Sequence, residues 1–404
     1  MSSSRVLAKP SWRGWPPPLR STRSVGRIAS SANAPTAFRE TPDRLVTAGY
    51  KGLNTENRLT PSADLPADAP HPTLVRYGYR SLDRAWLMLH NRLASRLRPP
   101  LWAAHGQHQV YLTSLLSGVL GEGPAAMATA QVPDLHHFRG SFGGKDVIPL
   151  WRDAAGTQPN LPAGLLGRLT HILGSPVTAP DLFAYSYGVL SATVYASVFS
   201  DELTLPPLRL PITADAGMFA EVVAVGRRLV WLHTYGERFV PAGQVQGRIP
   251  AGQARSIKGI SSAPGGGPER FDWVADPADP ELGVLQVGDG RIGPVPRAVW
   301  LFSVSGYEVL KSWLASRMKV RSGKKSSALD EIRPASWDLT LSTELRELIW
   351  VLEATVAAQP GLNALVRRVV AGPVVRAGQL PLPTAAEQKP PGDDADTSPQ
   401  GSLL

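Results

Sequence analysis

Residues 76–98 gather arginine and aromatic side chains at a density that suits a polyanionic partner. The run holds Arg76, Arg80, Arg84, Arg92, Arg96 and Arg98, with Tyr77, Tyr79 and Trp86 among them and Asp83 as its single acid. A guanidinium is a planar fork of donors that pairs with a phosphate or a guanine edge, and an aromatic ring gives a base a surface to stack on. Nucleic-acid binding is the chemistry this composition serves. A GC-rich genome produces the same bias without any function, since the chain has 33 Arg against 9 Lys. The three aromatic residues equally suit a core. Asp83 reads better as an arginine's partner that orders a turn than as a catalytic acid.

A second polar cluster spans Val132–Asp146. Asp134, His136, His137 and Asp146 are the residue types of a metal nuclease. Adjacent strand residues face opposite sides, however, so His136 and His137 do not converge on one ion without a bulge. Arg139 and Lys145, with glycine-rich backbone between them, suit close approach to a phosphate or a base edge. An ordinary polar loop accounts for the same residues.

Motifs for other chemistries are missing. A methyltransferase acting on an exocyclic amine needs an Asn/Asp-Pro-Pro-aromatic loop to grip the flipped base. None of the Pro-Pro steps, at Pro16-Pro17-Pro18, Pro99-Pro100, Pro206-Pro207 and Pro390-Pro391, has those neighbours. Gly118–Gly123 is glycine-rich but leads into Pro124, and Gly323-Lys324-Lys325-Ser326 lacks the first glycine of a phosphate-binding loop. No Gly-x-Ser-x-Gly elbow supports a serine nucleophile. Absence of cysteine excludes disulfides, thiol catalysis and cysteine-based zinc sites, and fits a reducing cytoplasm.

The elements that must position these residues alternate along 404 residues, 43% of them hydrophobic. Residues 1–39 hold seven basic side chains and no acid; Trp12, Trp15 and the proline triplet oppose an amphipathic transit helix, so this end reads as a disordered arm. Ala126–Val132 and Val147–Trp151 read as short extended segments. Thr178-Ala179-Pro180-Asp181 has the form of a capping box opening a helix that carries Leu182, Phe183, Tyr187, Leu190 and Val194. Thr213 is the expected cap of a second helix, with Phe219, Val222, Val225 and Leu229 on one face. Val284–Val287, Gly288-Asp289-Gly290 and Arg291-Ile292 predict a hairpin. Tyr307, Leu310, Trp313 and Leu314 line one later helix, and Leu345, Leu348, Leu352 and Val356 another. No apolar run approaches the roughly 18 residues of a membrane span.

Several blocks together resemble one family. Tyr79-Arg80-Ser81-Leu82-Asp83-Arg84-Ala85-Trp86 resembles its opening Tyr-Arg-x-Phe-Asp-x-x-Trp block, with Leu82 at the aromatic position. Arg98-Pro99-Pro100-Leu101-Trp102, Pro133–Gly140, Asp181–Tyr185, Leu208–Phe219 running to His233, and Gly306–Leu314 follow in the family's order. The family is the C-terminal specificity domain of type ISP restriction–modification enzymes, which join DNA cleavage, translocation and adenine methylation to one target-recognition domain. The resemblance covers about residues 72–358. It implies sequence-specific recognition of duplex DNA on behalf of a methyltransferase that precedes this domain in the family, and S-adenosylmethionine would bind there. No cofactor and no metal is expected for this chain.

The expectation is a mixed α/β (α+β) target-recognition domain of short strands with a helical part. It has a disordered basic arm over 1–45, a strand-rich first part over 46–175, a helical and hairpin second part over 176–358, and a largely disordered tail over 359–404. Arg76, Arg80, Arg84, Arg96, Arg98, Arg139 and Lys145 are the expected DNA-binding residues, anchoring phosphates and reading base edges. The expected partners are double-stranded DNA and a methyltransferase/translocase polypeptide acting in trans in the cytoplasm, with no membrane and no catalytic residue in this chain. Two alternatives stand beside this: a fragment that retains adenine-specific DNA methyltransferase or nuclease activity, and a domain without a ligand.

Overall fold

The computed structural model describes residues 73–89, 94–95, 99–116, 120–139, 146–201, 203, 208–261, 267–319 and 336–390, with three two-residue strand fragments inside 19–28. The rest of the expected basic arm, the basic loop around Lys324 and the last fourteen residues lie outside this set. The fold is mixed α/β: small antiparallel sheets pack around a helical body.

Strands β1 (Thr73–Arg80) and β2 (Asp83–Leu89) form the opening hairpin. Their alternation puts Tyr77, Ala85 and Leu87 on a buried face, where Tyr77 and Leu87 form a small core with Leu101, Trp102, Tyr111, Val132 and Val147. Tyr77 stacks nearly parallel on Trp102, with ring centroids 6.4 Å apart. Strand β3 (Tyr111–Ser114) runs antiparallel between β4 (Ala126–Thr129) and β5 (Asp146–Pro149). Every residue of β3 and β4 is buried, so neither shows a polar alternation in sequence.

The helical body rests on three elements. Helix α1 (Ala179–Leu190) begins at the expected capping box: Thr178 Oγ1 accepts from the Asp181 amide, and Asp181 accepts from the Thr178 amide. Helix α2 (Ala216–His233) is capped by Asp215, whose carboxylate accepts from the Met218 amide. Thr213 sits two residues earlier and supports that cap, its hydroxyl accepting from the Asp215 amide. Helices α1 and α2 cross where Gly188 meets Gly226; a Cβ on Gly226 would lie 1.9 Å from the Ala184 carbonyl oxygen. Helix α3 (Val309–Ala315) buries Leu310, Trp313 and Leu314 as expected.

Helix α4 (Leu339–Ala371) runs through Pro360 instead of ending near 358. An interior proline removes one backbone donor, but the apolar pattern continues through Leu362, Leu365, Val366 and Val369, all buried. Side chains flanking the proline also bind the turn after α1: Gln359 accepts from the Thr193 amide and Asn363 from the Val194 amide, each at 3.0 Å. The chain stays tied down to residue 390. Val375 donates to the Ile212 carbonyl, and Glu387 accepts from the Ala163 amide. Among the described residues α4 is the helix long and apolar enough to cross a bilayer, yet Leu345, Leu348 and Leu352 are buried in the protein's own core.

A second sheet has strand order β6 (Arg255–Lys258), β9 (Gly290–Pro296), β8 (Leu282–Val287) and β7 (Phe271–Ala275). The expected hairpin is present, with Gly288 and Asp289 as its two-residue loop. Gly288 has φ of 58°, a conformation that favours glycine.

Candidate nucleic-acid interface

The hairpin arginines are placed by acids distant in sequence. Asp134, 2% exposed, collects the first set of contacts. Its carboxylate accepts from Arg80 Nη1 at 2.7 Å, from the Tyr77 hydroxyl at 3.1 Å and from the His136 amide at 2.8 Å. Burial lowers the Arg80 pKa, but Asp134, Tyr79 and Tyr307 together outweigh it and the net direction is up. The backbone repeats the link. The Gly78 amide donates to the Val132 carbonyl and the Asp134 amide to the Gly78 carbonyl. The Arg/aromatic run and the histidine-containing cluster therefore meet as one structural joint.

Arg76 and Arg84 lie on the hairpin's other face, against α4. Arg76 Nη2 donates to Glu344 at 2.8 Å with its guanidinium 4.3 Å above the Trp86 ring. Arg84 Nη2 donates to Glu347 at 2.9 Å and lies 3.6 Å above the Tyr235 ring. Glu344 and Glu347 are three apart, so they share a face of the helix. Both arginines remain partly exposed, at 27% and 19%.

Asp83 pairs with Arg317, just beyond α3. The pair is bidentate, at 2.7 and 3.2 Å, and the two side chains are 3% and 4% exposed. Arg317 also lies 3.7 Å above the Trp313 ring and donates to the Trp313 carbonyl. At the hairpin turn Leu82 takes φ of 58°, which is costly for a residue with a side chain. Its burial and a 2.6 Å bond from the Tyr235 hydroxyl to its carbonyl offset that cost.

Two histidines behind this joint are buried and neutral. His137 bonds the Thr113 hydroxyl through Nδ1 at 2.7 Å. His233 joins α1, α2 and α4, meeting the Tyr187 hydroxyl at Nδ1 and Thr355 Oγ1 at Nε2. Thr355 donates its own proton to the Val351 carbonyl. It must therefore accept from His233 Nε2–H, which leaves Nδ1 to accept from Tyr187. Burial lowers the pKa of each histidine to about 3. Between that value and the unfolded value near 6.5, the unfolded chain binds more protons, so stability falls as pH falls. Each histidine contributes roughly 1.4 kcal/mol per pH unit in this window. Unfolding free energies from urea titrations at pH 7 and pH 5 are expected to differ by about 3–4 kcal/mol from the pair; equal values would contradict this.

Arg139 is half-buried and donates to Ser305 Oγ at 3.2 Å. Arg96, Arg98 and Lys145 lie outside the described residues. Among the described residues no three His, Asp or Glu side chains come together as a metal-ligating group. A small cleft of about 10 Å³ opens between the hairpin turn and the end of α2. Its polar lining is engaged in internal bonds, such as Gln131 Nε2 to Glu237 at 2.6 Å. Arg317, Tyr235, Glu344 and Glu347 are the partners that sequence reasoning missed. Glu344 and Glu347 lie on an apolar-faced helix, while Tyr235 and Arg317 lie just past helix ends, where no local pattern marks them.

A family model described as the Type ISP C-terminal specificity domain matches residues 30–348. No curated protein sequence matches the chain. Among solved structures the chain is similar to one described as a cryoEM structure of a DrdV–DNA complex, with a TM-score of 0.53 at 18% identity over 77% of this chain and 28% of the other. A nuclease-deletion mutant of the Type ISP restriction-modification enzyme LlaGI, in complex with a DNA substrate mimic, gives 0.47 at 16% identity over 73% and 20%. The ATP-dependent Type ISP enzyme LlaBIII bound to DNA gives 0.48 at 12% over 72% and 18%. At 18% identity the likeness to the DrdV–DNA complex is one of fold, and the chain spans less than a third of each of those proteins. With most of its length covered by that family model, the chain belongs to the Type ISP C-terminal specificity domain family.

Proposed function

We infer that this chain recognises sequence in duplex DNA as the specificity domain of a type ISP restriction–modification system. The observation that carries this reading is the family match across residues 30–348. The shared fold with the DrdV–DNA complex supports it. In this reading methyl transfer and cleavage belong to other parts of the system, in keeping with the missing Asn/Asp-Pro-Pro-aromatic loop. Arg76, Arg80 and Arg84 act first as positioning residues, holding the hairpin on Asp134 and α4. Their unused N–H groups, with Arg96, Arg98, Arg139 and Lys145, supply phosphate contacts.

Binding of random duplexes, titrated against salt by fluorescence anisotropy, tests this. The logarithm of affinity is expected to fall linearly with the logarithm of salt, by about 0.9 per phosphate contacted. A chain with no affinity even at low salt is not a DNA-recognition domain. Incubation with labelled S-adenosylmethionine and DNA separates the enzyme alternative, which requires methyl transfer by the isolated chain.

A further inference from the structure

Between Arg238 and Pro268 the chain carries no Asp or Glu, while holding Arg238, Arg248, Arg255 and Lys258 together with Gln244, Gln246 and Gln253. Acids return at Glu269 and Asp272. In the structure it forms a ribbon: a loop from Pro241 leads into β6, the edge strand of the second sheet. Residues 241–248 are all exposed, as are all four residues of β6. Val245 and Ile257, both apolar, are more than half exposed.

The ribbon is held from within. The Gly247 amide donates to the Gly236 carbonyl at 2.8 Å, and Gln246 Nε2 donates to the Glu237 carbonyl at 3.1 Å. Gly236 has φ of 79°, and a Cβ there would lie 2.3 Å from the Arg248 carbonyl oxygen. At the other end Glu353 on α4 accepts from the Gln253 and Ala254 amides, and Trp350 Nε1 donates to the Ala254 carbonyl. The backbone is fixed while Gln244, Val245, Arg248 and Lys258 face solvent. Across the sheet Lys258 lies opposite Arg291, and Arg291 opposite Gln286, all three exposed. Two carboxylates flank this row: Asp289, 3.7 Å from Lys258 in a pair that is mostly exposed on both sides, and Asp272, exposed and opposite Gln286 at the far end.

These are the side chains that read a major groove. Arginine pairs bidentately with guanine, glutamine with adenine, and a branched apolar group packs on a thymine methyl. Glycine on either side lets the backbone come close. We propose that residues 241–261, with Arg291 and Gln286 beside them, form the surface that reads base edges in duplex DNA. The inference rests on the DNA-recognition reading above and assigns it a face distinct from the opening hairpin. Gln244 and Arg248 supply discrimination, and Lys258 and Arg291 hold phosphates.

The full chain is titrated by fluorescence anisotropy against a duplex selected from a random pool and against a scrambled one. Gln244→Ala with Arg248→Ala is expected to reduce the selected-to-scrambled affinity ratio by about 10- to 100-fold. Lys258→Ala with Arg291→Ala weakens both duplexes alike and lowers the salt slope by about two. Arg297→Ala, beyond the end of β9, leaves the ratio unchanged. All of these positions are exposed, so thermal melts should match the parent. If the parent discriminates and the Gln244/Arg248 variant discriminates equally well, the inference is overturned while the family reading stands. If the parent binds no duplex, both fall. If Ile257→Lys converts a dimer into a monomer with discrimination untouched, the edge strand pairs two copies of the chain and the inference fails.

Discussion

Asp83→Ala is expected to cost about 3–5 kcal/mol of folding stability, because it strands a buried guanidinium. Arg317 is 4% exposed, and the Asp83 carboxylate is its bidentate partner. Burial lowers the Arg317 pKa, while Asp83 first and then Glu344 and Tyr307 raise it, with the net direction up; removing Asp83 removes the largest of the influences that offset the desolvation. Arg317→Met alone leaves Asp83 buried without its bidentate guanidinium partner, and a loss of similar size is expected. The double variant should recover much of either loss, since a buried pair exchanged for apolar groups of similar volume is often near neutral. Urea unfolding of the four proteins in this cycle gives the coupling directly. Strictly additive losses would show that the pair is not a unit.

Gly226→Ala is the second large effect, and its sign is diagnostic. Helix propensity alone favours alanine over glycine in a helix interior by about 1 kcal/mol. At this crossing, however, the new Cβ would lie 1.9 Å from a backbone oxygen of α1, an atom that cannot step aside as a side-chain tip can. The two helices must separate, and a net loss of about 1–3 kcal/mol is expected. Gly361→Ala is the matched control, because it lies in α4 with nothing within 4 Å of the added atom. It is expected to be neutral or to stabilise by up to about 1 kcal/mol. If both substitutions change stability alike, the close crossing of α1 and α2 is not what holds the helical body.

What could be read from sequence was local. The capping box at Thr178 and Asp181 uses groups three residues apart, and the Gly288-Asp289 loop is closed by its own strands. The second helix was found, but its cap was placed at Thr213 because that hydroxyl and Asp215 compete for the same role two residues apart. The last helix outruns the expected limit at 358 and passes through Pro360; the missing donor is outweighed by apolar residues on both sides and by bonds to residues 191–194.

The hairpin shows where local reading stops. Asp83 was expected to pair with an arginine and does, but with Arg317, 234 positions away rather than within its own cluster. Arg76 finds Glu344 across 268 positions. Composition distinguishes neither a guanidinium aimed at a phosphate from one aimed at a glutamate, nor a stacking tyrosine from Tyr77, which is 1% exposed. The acid-free stretch from 238 to 268 is legible in the sequence, but the exposure of residues 241–248 and of β6 depends on how β6 sits at a sheet edge.

The central claim is that this chain itself reads DNA sequence. Selection from a pool of random duplexes by the full chain, followed by sequencing of the bound fraction, tests it most directly. The account predicts enrichment of one defined site over successive rounds, with each wrong base pair costing about 1–3 kcal/mol. A bound pool that stays random through every round would contradict it.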